Sequence, residues 1–207
     1  MRTKRRAGLD LIDAIVNTVI MLVLAAILFP VFIRAVQNGH RSRCKVNEKE
    51  IAQACAQYAQ DYAGRYPPSG PNNSSGLLGN GGGWADSLQG RLKSAEVFQC
   101  PDEPNAYESA HPEQVDYGYN AALGGRNAAS IKNSGDAILL FEGAQQAGTA
   151  QAASSSNTSQ VYIGRHLEGS NYAFVDGHVK WLNSTKAPSE CYPAGTSPGS
   201  AFVFCLK

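Results

Sequence analysis

Charge is scarce in this chain and unevenly spread. Only 17% of its 207 residues are Asp, Glu, Lys or Arg, against 43% hydrophobic, and residues 14–33 carry no charge at all. The formal net charge of +1 excludes a strongly basic nucleic-acid binder, whose affinity would rest on a surplus of Lys and Arg. Also missing are the spacings that catalysis and zinc binding need. There is no CxxC pair, no Cys/His zinc pattern, no phosphate-cradling glycine loop, and no Ser/His/Asp set or carboxylate pair in a convincing context. A nucleophilic Cys100 with His111 as its base finds no identifiable oxyanion hole. These absences argue against an enzyme. Disorder is excluded by the 9% aromatic content, although 21 Gly and 10 Pro point to a loop-rich fold.

What is present begins at the N-terminus. Arg2, Lys4, Arg5 and Arg6 precede the uncharged run, whose only polar interruptions are Asn17 and Thr18. At about 1.5 Å per residue the run reaches roughly 30 Å, the thickness of a bilayer's hydrocarbon layer. Basic residues ahead of the span place the N-terminus in the cytoplasm. Arg34, Arg41, Arg43, Lys45 and Lys49 against Glu48 and Glu50 on the far flank reduce that bias. The run is longer than a secretory signal core, and no small-x-small cleavage site closes it. Five cysteines without metal spacing read as disulfides in an oxidising compartment.

Past Pro30, Cys44, Ile51, Cys55, Tyr58 and Tyr62 recur on one face of a helix, which Gly64 and Pro67-Pro68 then stop. The pattern predicts one long helix from about Leu9 to Tyr62. Residues 69–83 and 144–160 read as loops. Residues 137–141, 161–164, 172–175, 178–182 and 201–206 read as strands. Asp176-Gly177 separates two alternating runs and predicts a two-residue hairpin turn. His166, Asp176 and His178 are candidate metal ligands, although calcium would want more oxygens than this segment supplies. Cys191 and Cys205 enclose a loop whose closure would be worth about 3 kcal/mol. Cys100 is then left to pair with Cys44 or Cys55, with one cysteine over.

Arg5-Arg6-Ala7-Gly8, followed by Leu9 and by Asp13, resembles the processing site of prepilin-like proteins, the precursors of type IV pilins and type II secretion pseudopilins. The family usually has Phe at the position of Leu9 and Glu at that of Asp13, one methylene longer. His166 followed by nine residues and Asp176-Gly177 resembles the signature of a prepilin-type processing-associated family. Tyr58 to Tyr62, Arg65 to Pro68, Val97 to Pro101 and Tyr117 to Asn120 resemble it too.

The resemblance implies an α+β, pilin-like fold: a long N-terminal helix packed on a small antiparallel sheet head with long loops. It divides the chain into a leader (1–8), a transmembrane or filament-core half of the helix (9–33), an amphipathic half (34–64) and an extracytoplasmic head (65–207). It implies cleavage after Gly8 by a prepilin peptidase that methylates Leu9, and assembly in which Asp13 faces the N-terminal amine of a neighbouring subunit. Pro30 matches the helix-weakening proline of many pilins. Disulfides Cys191–Cys205 and Cys44–Cys100 are implied as well, and no cofactor beyond the calcium that related pseudopilins hold in head loops.

The function that follows is that of a structural subunit which leaves the cytoplasmic membrane for a surface or periplasm-spanning filament. Its partners are itself, other pilin-like subunits and an inner-membrane assembly platform, with no nucleic acid required. The alternative is a membrane-anchored extracytoplasmic binding module that does not polymerise.

Overall fold

A computed structural model of the chain describes residues 11–69, 83–102, 115–142 and 164–183, and the backbone of 189–191 and 203–205. The chain divides into two units, Met1–Asn38 and Gly39–Lys207. Helix α1, Leu11–Asp61, supplies the described part of the first and opens the second.

In the first unit every described residue is exposed. Apolar side chains leave the backbone no polar partner but itself, and Thr18 returns its hydroxyl to the Ala14 carbonyl at 2.7 Å. Pro30 sits inside the helix, and Asp13 lies in its first turn. This stretch is long and apolar enough to cross a membrane.

In the second unit α1 buries Cys44, Glu48, Ile51, Ala52, Ala54, Cys55 and Ala59, spaced along one face of a 3.6-residue period. Tyr58 is half-buried and Tyr62 exposed, so the sequence-predicted stripe narrows toward its end. The two rings instead stack at 4.1 Å and take the Arg91 guanidinium over their faces. The helix ends where Ala63 and Gly64 turn to positive φ, 52° and 79°, and the Gly64 N–H bonds the Ala59 carbonyl at 2.7 Å.

The head is an antiparallel sheet in the order β1-β2-β3-β4, with β1 Tyr117–Tyr119, β2 Ile138–Glu142, β3 Gly169–Phe174 and β4 Val179–Asn183. A separate two-stranded ribbon pairs β5, Ser189–Cys191, with β6, Val203–Cys205. The architecture is therefore α+β, with a long N-terminal helix and a small antiparallel head. Trp84, fully buried, stacks on Tyr119 and meets the edge of Phe98 at the centre of the core. Gly118 is required by close packing, because a Cβ there would lie 2.3 Å from the Phe141 ring.

The Asp176-Gly177 turn differs from the two-residue form expected. Phe174 pairs with His178, so the loop holds three residues, Val175, Asp176 and Gly177. The Gly177 N–H closes it onto the Phe174 carbonyl at 2.9 Å with φ at 88°. The reason is tertiary: the N–H groups of Val175 and Asp176 donate to Ala137 and Ser134, which draws both residues out of the ladder. Of the expected strands, residues 161–163 lie outside the described residues, and Gly164 is in a turn.

Candidate functional site

A cluster of buried polar side chains forms where α1, the segment after Phe98, the end of β2 and the turn before β3 converge. Cys44 of α1 is joined to Cys100 by a disulfide with Cα atoms 5.4 Å apart. This decides between the two partners that the sequence left open for Cys100. Cys55 is a buried free thiol, and burial pushes its pKa up, which keeps it unreactive.

His166 lies against that disulfide, its Nε2 3.5 Å from Cys100 Sγ. Its backbone is fixed by a reciprocal pair of hydrogen bonds with Gly169, at 2.8 and 3.1 Å. The two residues between, Leu167 and Glu168, both have positive φ, 51° and 64°. Left-handed backbone at two consecutive non-glycine residues costs free energy, and such strain persists only where surrounding contacts enforce it. Here Trp181 Nε1 donates to the His166 carbonyl at 3.0 Å.

The imidazole is buried between two carboxylates. Nδ1 is 2.5 Å from Asp102 Oδ2, and Nε2 is 2.9 Å from Glu142 Oε1. Asp102 also takes His40 Nδ1 at 2.5 Å on its other oxygen. Glu142 is held from behind by Asn171, whose backbone N–H and side-chain Nδ2 donate to its two oxygens at 3.1 and 2.8 Å. The Cys100 N–H donates to Asp116 Oδ2 at 2.6 Å, which fixes the approach of that segment. Sγ of Cys44 and Cys100, Nε2 of His166 and a Glu142 oxygen all lie within 4.8 Å of one another, so these four could hold a metal ion.

One turn of helix beyond Cys44, Glu48 is fully buried, and neither carboxylate oxygen has a hydrogen-bond partner among the described residues. Burial first, and the Glu142 charge second, push its pKa well above 4.5 against the opposing pull of Arg165. The folded state therefore binds more protons than the unfolded state between 4.5 and that raised value. Stability is full below the window and falls as pH rises through it, by at most about 1.4 kcal/mol per pH unit for one proton. Glu48→Gln cannot ionise, and urea titrations between about pH 5 and about pH 8 should show a flatter slope than the parent. An unchanged slope would contradict this origin.

His166, Asp176 and His178 do not form one set. His166 stands before the first residue of β3, whereas Asp176 lies in the turn after its last and His178 directly follows that turn. Those two pair with each other, the His178 ring Nδ1 2.6 Å from Asp176 Oδ1. Burial alone would raise the Asp176 pKa, but the His178 backbone N–H and ring outweigh it and lower the pKa. The nine residues between His166 and Asp176 are thus the turn, the strand β3 and the start of the hairpin loop.

Gly8, Leu9 and His111 lie outside the described residues. Cys191 and Cys205 fall on paired strands, opposite Val203 and Ser189 respectively, and their side chains lie outside the description. Asp102, Glu142, Asn171 and Glu48 were not singled out by sequence. Glu48 carries a readable signal, since it lies between Cys44 and Ile51 on the apolar face. Glu142 carries another, because it closes an otherwise apolar strand.

No family model, no curated protein and no solved structure matches the chain.

Proposed function

We propose that this chain is a pilin-like structural subunit, held in the cytoplasmic membrane by its N-terminal helix with the N-terminus inside, cleaved after Gly8, and polymerised through α1 into a filament. The observation that carries the reading is the surface of residues 11–38, every one of which is exposed in the single chain. A helix that is apolar all round is not stable in water and must be covered by lipid or by other helices. Moving such a helix from lipid into a bundle of like helices exchanges one apolar surrounding for another and costs little hydrophobic free energy.

Asp13 is a charged residue in the first turn of the helix that carries that surface. In an apolar bundle a carboxylate needs a partner, and the α-amine created on Leu9 by cleavage would supply one across a subunit boundary. The same contact repeated head to tail does not close on itself, and a non-closing heterologous contact produces a fibre. The head, pinned to α1 by Cys44–Cys100, would form the outer surface. Other pilin-like subunits, a prepilin peptidase and an inner-membrane assembly platform are the partners this reading requires.

Mass spectrometry of the N-terminus of chain recovered from membranes tests the processing step. The expected species begins with methylated Leu9, and an intact Met1 or a cut beyond residue 30 would contradict it.

A further inference from the structure

We propose that, in the thiol state, Cys44, Cys100, His166 and Glu142 form a tetrahedral zinc site, so that one buried quartet has two alternative closures, a disulfide or a metal ion. The two closures are mutually exclusive because the same sulfurs serve both.

The geometry is already near that of a site. Zinc–sulfur bonds of about 2.3 Å and zinc–nitrogen bonds of about 2.0–2.1 Å at tetrahedral angles set sulfur and nitrogen about 3.5 Å apart. The Cys100 Sγ to His166 Nε2 distance is 3.5 Å. Nitrogen and carboxylate oxygen on one zinc stand about 3.3 Å apart, and His166 Nε2 and Glu142 Oε1 are separated by 2.9 Å. The sulfurs must part, from about 2.05 Å in a disulfide to about 3.8 Å on a tetrahedral edge. Cys44 sits on a helix, but Cys100 lies in the non-helical segment after Phe98, which can take up that change.

The outer contacts are those of a metal-bound histidine. Asp102 receives Nδ1 at 2.5 Å, which fixes the ring and, in the neutral tautomer protonated there, turns the Nε2 lone pair toward Glu142. Two acceptors facing each other at hydrogen-bond distance need a cation between them, either a proton or a metal. Asn171 holds Glu142 with two donors, so the second ligand is oriented as well. Two soft thiolates and an imidazole select zinc over calcium, which takes six to eight oxygens.

The chemistry balances. Opening the disulfide consumes two electrons and two protons: a dithiol supplies both and becomes a disulfide, whereas a phosphine supplies the electrons and becomes a phosphine oxide, with water giving the protons and the oxygen. Zinc binding then releases the two thiol protons and the proton shared by His166 Nε2 and Glu142, leaving two thiolates, a neutral imidazole and a carboxylate on the metal. A chain that has not yet been oxidised starts directly from the two thiols. An oxidant that accepts two electrons from the thiolates forms the disulfide and frees the ion.

Cobalt substitution in the full chain, held in detergent micelles, tests this. A background of Cys55→Ser, Cys191→Ser and Cys205→Ser removes the other thiols. After phosphine reduction, one equivalent of Co²⁺ should give a thiolate charge-transfer band and the intense visible bands of a tetrahedral ion, both displaced by Zn²⁺. The oxidised chain should give neither. His166→Ala should weaken Co²⁺ binding at least about tenfold, and Asp102→Asn, through positioning, about 10- to 100-fold. Should the reduced chain lose structure by circular dichroism, Zn²⁺ is expected to restore it. Absence of the bands, octahedral bands, bands that survive Cys44→Ser with Cys100→Ser, or a reduced chain that stays unfolded with zinc would each overturn the site.

Discussion

Asp13→Ala should abolish filaments of this chain while leaving its insertion in the membrane intact. The substitution removes the carboxylate that the proposed assembly sets against a neighbour's new α-amine, and it leaves that amine without this partner inside an apolar bundle. Breaking a buried pair in this way costs about 3–5 kcal/mol. At each addition step that is more than a hundredfold in the equilibrium constant, enough to empty the sheared extracellular fraction on an immunoblot. Asp13→Glu keeps the charge on a side chain one methylene longer and should retain filaments. Parent levels of filament from Asp13→Ala would remove assembly through this residue from the account.

The second large effect belongs to the head. Replacing Cys44 and Cys100 by serine together opens a loop between residues 56 positions apart. Chain entropy assigns such a closure about 4 kcal/mol. For a protein of this size the midpoint of thermal unfolding should fall by about 8–16 °C. Adding a phosphine reductant to a Cys191→Ser, Cys205→Ser background should reproduce the drop, and Zn²⁺ added afterwards should recover part of it if the zinc closure forms. A shift smaller than about 2 °C would mean that the disulfide contributes little beyond the packing around Trp84 and Tyr119.

Periodicity made much of the fold readable. The burial of Cys44, Ile51 and Cys55 follows from their spacing, and the end of α1 follows from Gly64 and the prolines beyond it. Strand β2 is an apolar run and β4 alternates, so both can be recognised, whereas of β3 only Tyr172–Phe174 is apolar and its start at Gly169 lies three residues ahead of the expected strand. β1 is only three residues, Tyr117–Tyr119, and becomes a strand because β2 lies beside it. The hairpin loop gained a residue because Ala137 and Ser134, more than thirty positions away, capture its N–H groups. The buried quartet was least readable, because residues 44, 100, 142 and 166 share no local pattern and meet only once the helix, the loop and the sheet are packed. His166 could be picked out by its signature, but its partners could not. They come from other elements, and the histidine and aspartate nearest to it in the motif stand at the far end of β3.

The claim that this chain builds a filament is tested most directly by immunogold electron microscopy of material sheared from cells, using antibodies against the head. The account predicts filaments labelled along their whole length. Label confined to the membrane pellet, with sheared filaments absent or unlabelled, would contradict it.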